Sequence, residues 1–472
     1  MRFSRILFSL SAFCFLVLVQ FACRKNDKVD TSPGLKLTFS TDTVFFDTVF
    51  PSIGSVTQRL VVHNPNKNKV SIASISVAGG PNSCYRLNVS GSTAIPATNV
   101  EIPGGDSLFI FVRVTIDPNN LDIPFVVSDS IQFVTNGSHQ QVKLVAWGRN
   151  AVFHRNETLK SSVTWDSVKA HVIYGSLIVG GGKSGPATLT IMPGTRVYLH
   201  KGSWMEIAAG STLKIPGTLD HPVRFQGDRL DAFYKDLPGQ WEGIYLDAGS
   251  KDHVLNYTFI KNGVFGLSAD SLGGQGAPLL TLSNSIIRNM TTAGLYAYAS
   301  SVTSVNCVFG DCGGSCVYVD NGGTYDFRQL TISNNWFSTV RRVASVYLSN
   351  FTYDTLGNQL TNPLSKGYFG NAIIYGSNDD EITLDSVAAV AFNCTFDHDL
   401  MKSRLAGHAS RFVNCIFNKD PRFVNVAKQD YRIDSLSPAI NQGAALGVPY
   451  DILGVSRDAQ PDPGAYEYVK KN

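Results

Sequence analysis

Charge is what this 472-residue chain has least of. Lys, Arg, Asp and Glu make up 16% of it, against roughly 25% in ordinary soluble domains, which excludes a coiled coil or a charged disordered chain. Methionine is scarce, with five residues. The leading apolar run, Ile6–Val19, has 14 residues, short of the roughly 20 that a membrane-crossing helix needs. A formal net charge of +3 gives no electrostatic basis for holding nucleic acid. Cysteines number eight, yet the clustered ones, Cys307, Cys312 and Cys316, have no nearby histidine to complete a zinc set. What is abundant is glycine (42), proline (20) and a Val/Ile/Thr/Tyr/Phe-rich remainder, the composition of many short strands joined by tight turns. The expectation is an all-β chain, with two or three domains or one long repetitive domain.

Residues 1–22 are expected to be a signal peptide: Arg2 and Arg5, then the apolar run, then the small Ala22 before Cys23. This start resembles a bacterial lipoprotein precursor. The resemblance implies cleavage before Cys23, acylation of that residue, and a lipid-anchored protein of the Gram-negative outer membrane or cell surface. Arg24 rather than Asp after Cys23 is similar to lipoproteins passed on to the outer membrane. Two or more acyl chains give stable anchoring where one is marginal. Residues 23–34 read as a polar tether ending in Pro33-Gly34.

From 35 to 151, alternating strands such as Gln58–Val62 and Ser107–Thr115 are separated by turn signals, among them Asn136-Gly137. About 115 residues is the size of one β-sandwich. Phe46-Asp-Thr-Val-Phe50, Leu60-Val-Val-His-Asn64 and Asn88-Val-Ser-Gly91 resemble the Ig-like modules that precede β-helices in surface proteins of the Bacteroidota.

Residues 152–425 carry an internal repeat. Pro193-Gly-Thr returns as Pro216-Gly-Thr, and Pro238-Gly follows. A second pattern begins at Tyr257, Asn284, Asn306, Gln329, Asn350, Asn371, Asn393 and Asn414, at intervals of 21 to 27 residues. Three places after each head stands a large apolar residue, from Ile260 and Ile287 to Phe396 and Phe417. One place after stand mostly small or apolar residues. Positions two apart share a face of a strand, so both columns are expected to line an interior. A period of 20–30 residues implies a solenoid whose turns stack on one another. The region resembles right-handed parallel β-helix, or pectin-lyase-like, proteins, an identification helped by Gln240-Trp-Glu-Gly-Ile-Tyr-Leu246. The closing residues 426–472, with Ser437-Pro-Ala-Ile-Asn-Gln-Gly443 and Pro461-Asp-Pro-Gly-Ala-Tyr-Glu-Tyr468, resemble the C-terminal segment of secreted bacterial β-helix proteins and read as a cap over the last coil.

The chemistry is less legible. Enzymes of the resembled group place carboxylates on adjacent coils, and in the columns four and five places after each head Asp never falls on neighbouring rungs. Asp397-His398-Asp399 is the most reactive tripeptide, a base, ligand or substrate contact, or else a solvated turn. Asp379-Asp380-Glu381 is a candidate Ca²⁺ run, or a solvated loop. Cys394 and Cys415 fall in the same column on consecutive rungs and are a candidate disulfide, or else stacked free thiols in the core. No other cofactor is implied. The expectation is a non-catalytic carbohydrate-binding or adhesive rod with polysaccharide and membrane as partners. The alternatives are a polysaccharide lyase or glycoside hydrolase, and a structural spacer.

Overall fold

The computed structural model describes residues 28–49, 55, 57–116, 125–148, 150–230, 233–270, 279–405 and 410–470. The leader and Cys23 lie outside the described residues. The chain forms two compact units, Met1–Asn150 and Ala151–Asn472.

The first unit is a β-sandwich. One sheet orders Thr38–Phe39, Gln58–His63, Ser107–Val114 and Tyr85–Val89; the other orders Thr43–Val49, Ser138–Gly148, Phe125–Thr135, Val70–Val77 and Ala97–Ile102. Strict alternation drives it: Ser107–Val114 buries every second residue, and Leu60, Val62, Ile72, Ile110, Val112, Phe133 and Leu144 meet in the core. Asn136 and Gly137, both at positive φ, close the hairpin between the two longest strands. Part of the expected tether is held to this unit. The Asp30 amide donates to the Lys69 carbonyl at 2.8 Å, and Asn136 Nδ2 donates to the Asp30 carbonyl at 2.8 Å.

The second unit is a parallel solenoid in which the short strands of the walls pair with strands one coil away. Three walls result. Wall A contains Arg196–Leu199, Val223–Gly227, Thr258–Lys261, Ile286–Met290, Val308–Cys312, Thr331–Asn334, Ile373–Gly376, Leu400–Met401 and Ile416–Phe417. Wall B contains Trp204–Ile207, Gly243–Leu246, Phe265–Asp270, the first halves of Ala293–Val305 and Val317–Arg328, then Val346–Ser349 and Ile382–Asp385. Wall C runs from Val163–Trp165 to Phe412–Val413 and carries an interior aromatic file, Phe327, Phe369, Phe396 and Phe412.

Wall A shows the repeat in register: Val197, Phe225, Ile260, Ile287, Phe309, Ile332, Ile374, Met401 and Phe417 form one buried column. The corner before it is taken at positive φ by Tyr257, Asn284, Asn306, Gln329, Asn371, His398 and Asn414. Asn there tolerates the left-handed backbone and extends a side-chain ladder; Asn306 Nδ2 donates to Asn284 Oδ1 at 3.2 Å. Six of the eight expected heads hold this corner. Asn350 does not: the coil between Gln329 and Asn371 is enlarged by the hairpin Phe351–Tyr353 with Gln359–Thr361. Asn393 does not either, since the corner of that coil is His398. Even spacing had divided one long coil in two, then averaged a long coil with a short one.

The closing segment, expected to seal the last coil, makes its contacts along the flank of wall A. Tyr431, Ile452 and Ala465 pack on Val308, and Ile433 and Ala439 on Ile373 and Leu400. The outward positions two places after each corner, Ile286, Val308, Ile373, Leu400 and Ile416, are apolar because this segment covers them. Buried Arg457 ties it down, donating to Asn306 Oδ1 at 3.2 Å and to Glu467 Oε2 at 2.8 Å.

Candidate functional site

The candidate reactive tripeptide keeps Asp397 and His398 in contact and turns Asp399 away from them. Asp397 faces outward and accepts from Tyr368 Oη at 2.9 Å. His398 takes the corner, its Nδ1 2.7 Å from Asp397 Oδ1 and its Nε2 3.1 Å from Asn414 Nδ2. Asp399 points into the core, in the file that holds Thr258, Ser285, Cys307, Leu330 and Ala372 one place after the other corners. Burial pushes its carboxyl well above the usual range. Its Oδ1 accepts from the Ala372 amide, and its Oδ2 has no hydrogen-bond partner.

The acidic run also diverges. Glu381 is fully buried, bound by Arg341 at 2.6 and 2.8 Å and by the Ser345 hydroxyl. Asp380 accepts from Ser403 Oγ at 2.9 Å, and exposed Asp379 pairs with Arg404. Glu381 is a structural counter-ion of Arg341, so the run presents no convergent oxygens for a Ca²⁺. Among the described residues no group of three or more His, Cys, Asp or Glu is placed to hold a metal ion. The candidate disulfide does not form, and Cys394 and Cys415 are free thiols, though not in one column. Cys394 lies on wall C opposite Gly367, while Cys415 follows the Asn414 corner and so occupies the file of Asp399. The misplaced head at Asn393 had put them in one column.

The arrangement that concentrates chemistry is a cleft of about 820 Å³ between wall A and the closing segment. Its floor is the outward column four places after the corners, where Lys261 and Arg288 sit on adjacent rungs and Gly310 follows, leaving room for Tyr431. One lip is the loop carrying Lys235 and Asp236, and the other is the 3₁₀ turn Val426–Lys428. Phe337, 75% exposed, closes a third side. The carboxylates are already engaged: Asp236 pairs with Lys261 at 3.1 Å, and Asp311 accepts from Tyr431 Oη at 2.8 Å and from Gln429. Among the described residues no carboxylate pairs with Arg288, Lys235 or Lys428. A second hollow of about 330 Å³ shares Lys261 and Arg288 and adds Arg224 and Phe259, with the Arg224 guanidinium 5.4 Å above the Phe259 ring. The result is a continuous cationic channel with two aromatic rings.

The outward face of wall B is its electrostatic opposite. Tyr296, Tyr318 and Tyr347 stack in register, ring centroids 5.4 and 4.5 Å apart, with Tyr296 donating to Asp320 and Tyr347 to Asp385. Because the rings lie against one another, their faces are taken up by the stack. Further along the same wall, burial lifts Asp247 to about 6, helped by the charge and hydrogen bond of Glu206 and by the charge of Asp270. These carboxylates do fall on neighbouring coils, on a wall whose rungs were not aligned in the sequence reading. The cationic column, by contrast, follows from the repeat spacing, with Lys261, Arg288 and Gly310 each four places after a head; Lys428 and Phe337 reach the cleft only through the fold.

No curated protein sequence matches this chain. Solved structures similar over part of the chain include the VesB protease of Vibrio cholerae (14% identity, 24% of this chain and 31% of that one, TM-score 0.18), a family 123 glycoside hydrolase from Clostridium perfringens (10%, 28% and 30%, 0.19) and a protein of unknown function from Porphyromonas gingivalis W83 (10%, 26% and 59%, 0.18). This chain spans less than two thirds of each. Residues 234–337 match the family model of the right-handed β-helix region. With the parallel register of its three walls, that match makes the second unit a right-handed parallel β-helix.

Proposed function

We propose that this protein is a lipid-anchored glycan-binding β-helix of the bacterial envelope, and that the channel of Arg224, Lys261, Arg288, Lys235 and Lys428 holds an extended anionic polysaccharide. The observation that carries the reading is the cleft itself: Lys261 and Arg288 one rung apart, more cations than engaged carboxylates around them, exposed Phe337 and half-buried Phe259 beside them, in a concave site whose walls focus their field. Rungs about 4.8 Å apart suit a polymer that presents charge repeatedly. The lipid on Cys23 is part of the proposal and rests on the leader sequence.

Affinity electrophoresis of the purified mature-length chain in gels containing a uronic-acid polymer tests it. Retardation is expected, and Arg288→Glu with Lys428→Glu is expected to weaken binding at least tenfold, about 1.4 kcal/mol. Equal mobility with and without polymer sinks the reading. A second, catalytic, reading is favoured by Asp247, a carboxyl raised toward neutrality beside Glu206 as a general acid requires. Sustained release of unsaturated or reducing ends from the polymer, abolished by Asp247→Asn, supports it; no release refutes it.

A further inference from the structure

We infer that the outer face of the four-stranded sheet in the first unit rests on an anionic lipid surface. The strands Gln58–His63, Ser107–Val114 and Tyr85–Val89 alternate, so their outward residues are Arg59, Val61 and His63, then Ser107, Phe109, Phe111 and Arg113, then Arg86 and Asn88. Register sets Arg59, Phe111 and Asn88 in one row and Arg113 beside Arg86 in another. No carboxylate stands at any of these positions. Phe109 and Phe111 are 44% and 41% exposed, and the Arg59 guanidinium lies 5.3 Å above the Phe109 ring. Arg86 donates to the carbonyls of Ser83 and Tyr85, and among the described residues no carboxylate pairs with it. Three guanidinium groups around two exposed rings fit phosphate headgroups over the acyl boundary, where aromatic side chains settle.

The chain before the sandwich says which anionic surface. It is held from Asp30 by Lys69 and Asn136, so only a few residues separate that point from Cys23. At roughly 3.4 Å per residue, the reach is about 20 Å. That is less than the width of a domain of this size, whose radius of gyration is about 13 Å. The inference rests on the lipid at Cys23 proposed above. An anchor that short keeps the sandwich at the headgroups while leaving it free to turn its basic face toward them.

The test uses the mature-length chain with Cys23→Ser, so that the face acts without its anchor, and vesicles of phosphatidylcholine with or without about a third phosphatidylglycerol. Sedimentation with the anionic vesicles only, reversed by about 0.5 M salt, is expected. Arg59→Glu and Arg113→Glu should each weaken binding about fivefold or more, and Phe109→Ser with Phe111→Ser should abolish it. Trp147→Ser, on the opposite sheet, should change nothing. Unaltered thermal melting of these outward-facing variants excludes a folding defect. No sedimentation, equal partition into neutral vesicles, or loss in the Trp147 variant alone overturns the inference. So does loss of uronic-polymer binding in the face variants while vesicle binding persists. Mass spectrometry of the N-terminal peptide of the full chain tests the lipid separately, and the vesicle result stands whichever way that comes out.

Discussion

The buried ionisable groups behave as their surroundings dictate rather than as their sequence neighbours suggest. Arg341 and Glu381, 1% and 0% exposed in their side chains, neutralise each other inside the solenoid. Removing one partner leaves the other charge stranded, so Glu381→Gln is expected to cost about 3–5 kcal/mol, read from denaturant unfolding. Asp399 is raised, so the folded state holds its proton above the ordinary carboxyl range. Its favourable, protonated state is therefore complete only at acid pH and is lost as pH rises. Asp399→Asn should melt like the parent near pH 4 and increasingly above it as pH climbs, the gap widening by about 1.4 kcal/mol per pH unit until the folded carboxyl ionises. A gap that narrows toward alkaline pH would refute the protonated assignment. Neither role was readable from Asp-His-Asp or Asp-Asp-Glu as strings, because in a strand adjacent residues face opposite sides, and at a corner the third direction opens as well.

Elements were legible where a column had one physical demand. The buried file from Val197 to Phe417 and the left-handed corners needed large apolar and Asn-like residues respectively, and the repeat followed. Legibility failed where a coil changed length, since the Phe351–Thr361 hairpin adds residues without adding a rung. It failed again where an outward column is apolar: Ile286, Val308, Ile373, Leu400 and Ile416 carried the message that something covers wall A, in residues that look like core. Tyr431 joins that cover to the coils through Asp311 and packs on Val308. Tyr431→Ala is expected to destabilise the second unit by about 3–5 kcal/mol and to expose the chain beyond residue 420 to limited proteolysis. Protection equal to the parent would show that the segment holds without it.

Across the second unit, charge is segregated by wall: cations with few free acids on A, carboxylates with stacked tyrosines on B. An anionic polymer is drawn to one side and repelled from the other, so its affinity should fall steeply with salt. A neutral glycan held by stacking alone would show almost no such dependence, and titrating binding against ionic strength separates the two. The fold class was readable because a solenoid repeats its demands; the cleft was not, because its lips come from residues nearly two hundred positions apart. That separation has a temporal side. In a simple solenoid each coil depends on its neighbours and can form as soon as they exist. Here the strap that returns to the Asn306 corner through Arg457 follows in sequence every coil it ties, and so is made after them. Synthesised amino end first, the coils stay unlatched until the strap follows them, and then many lock at once.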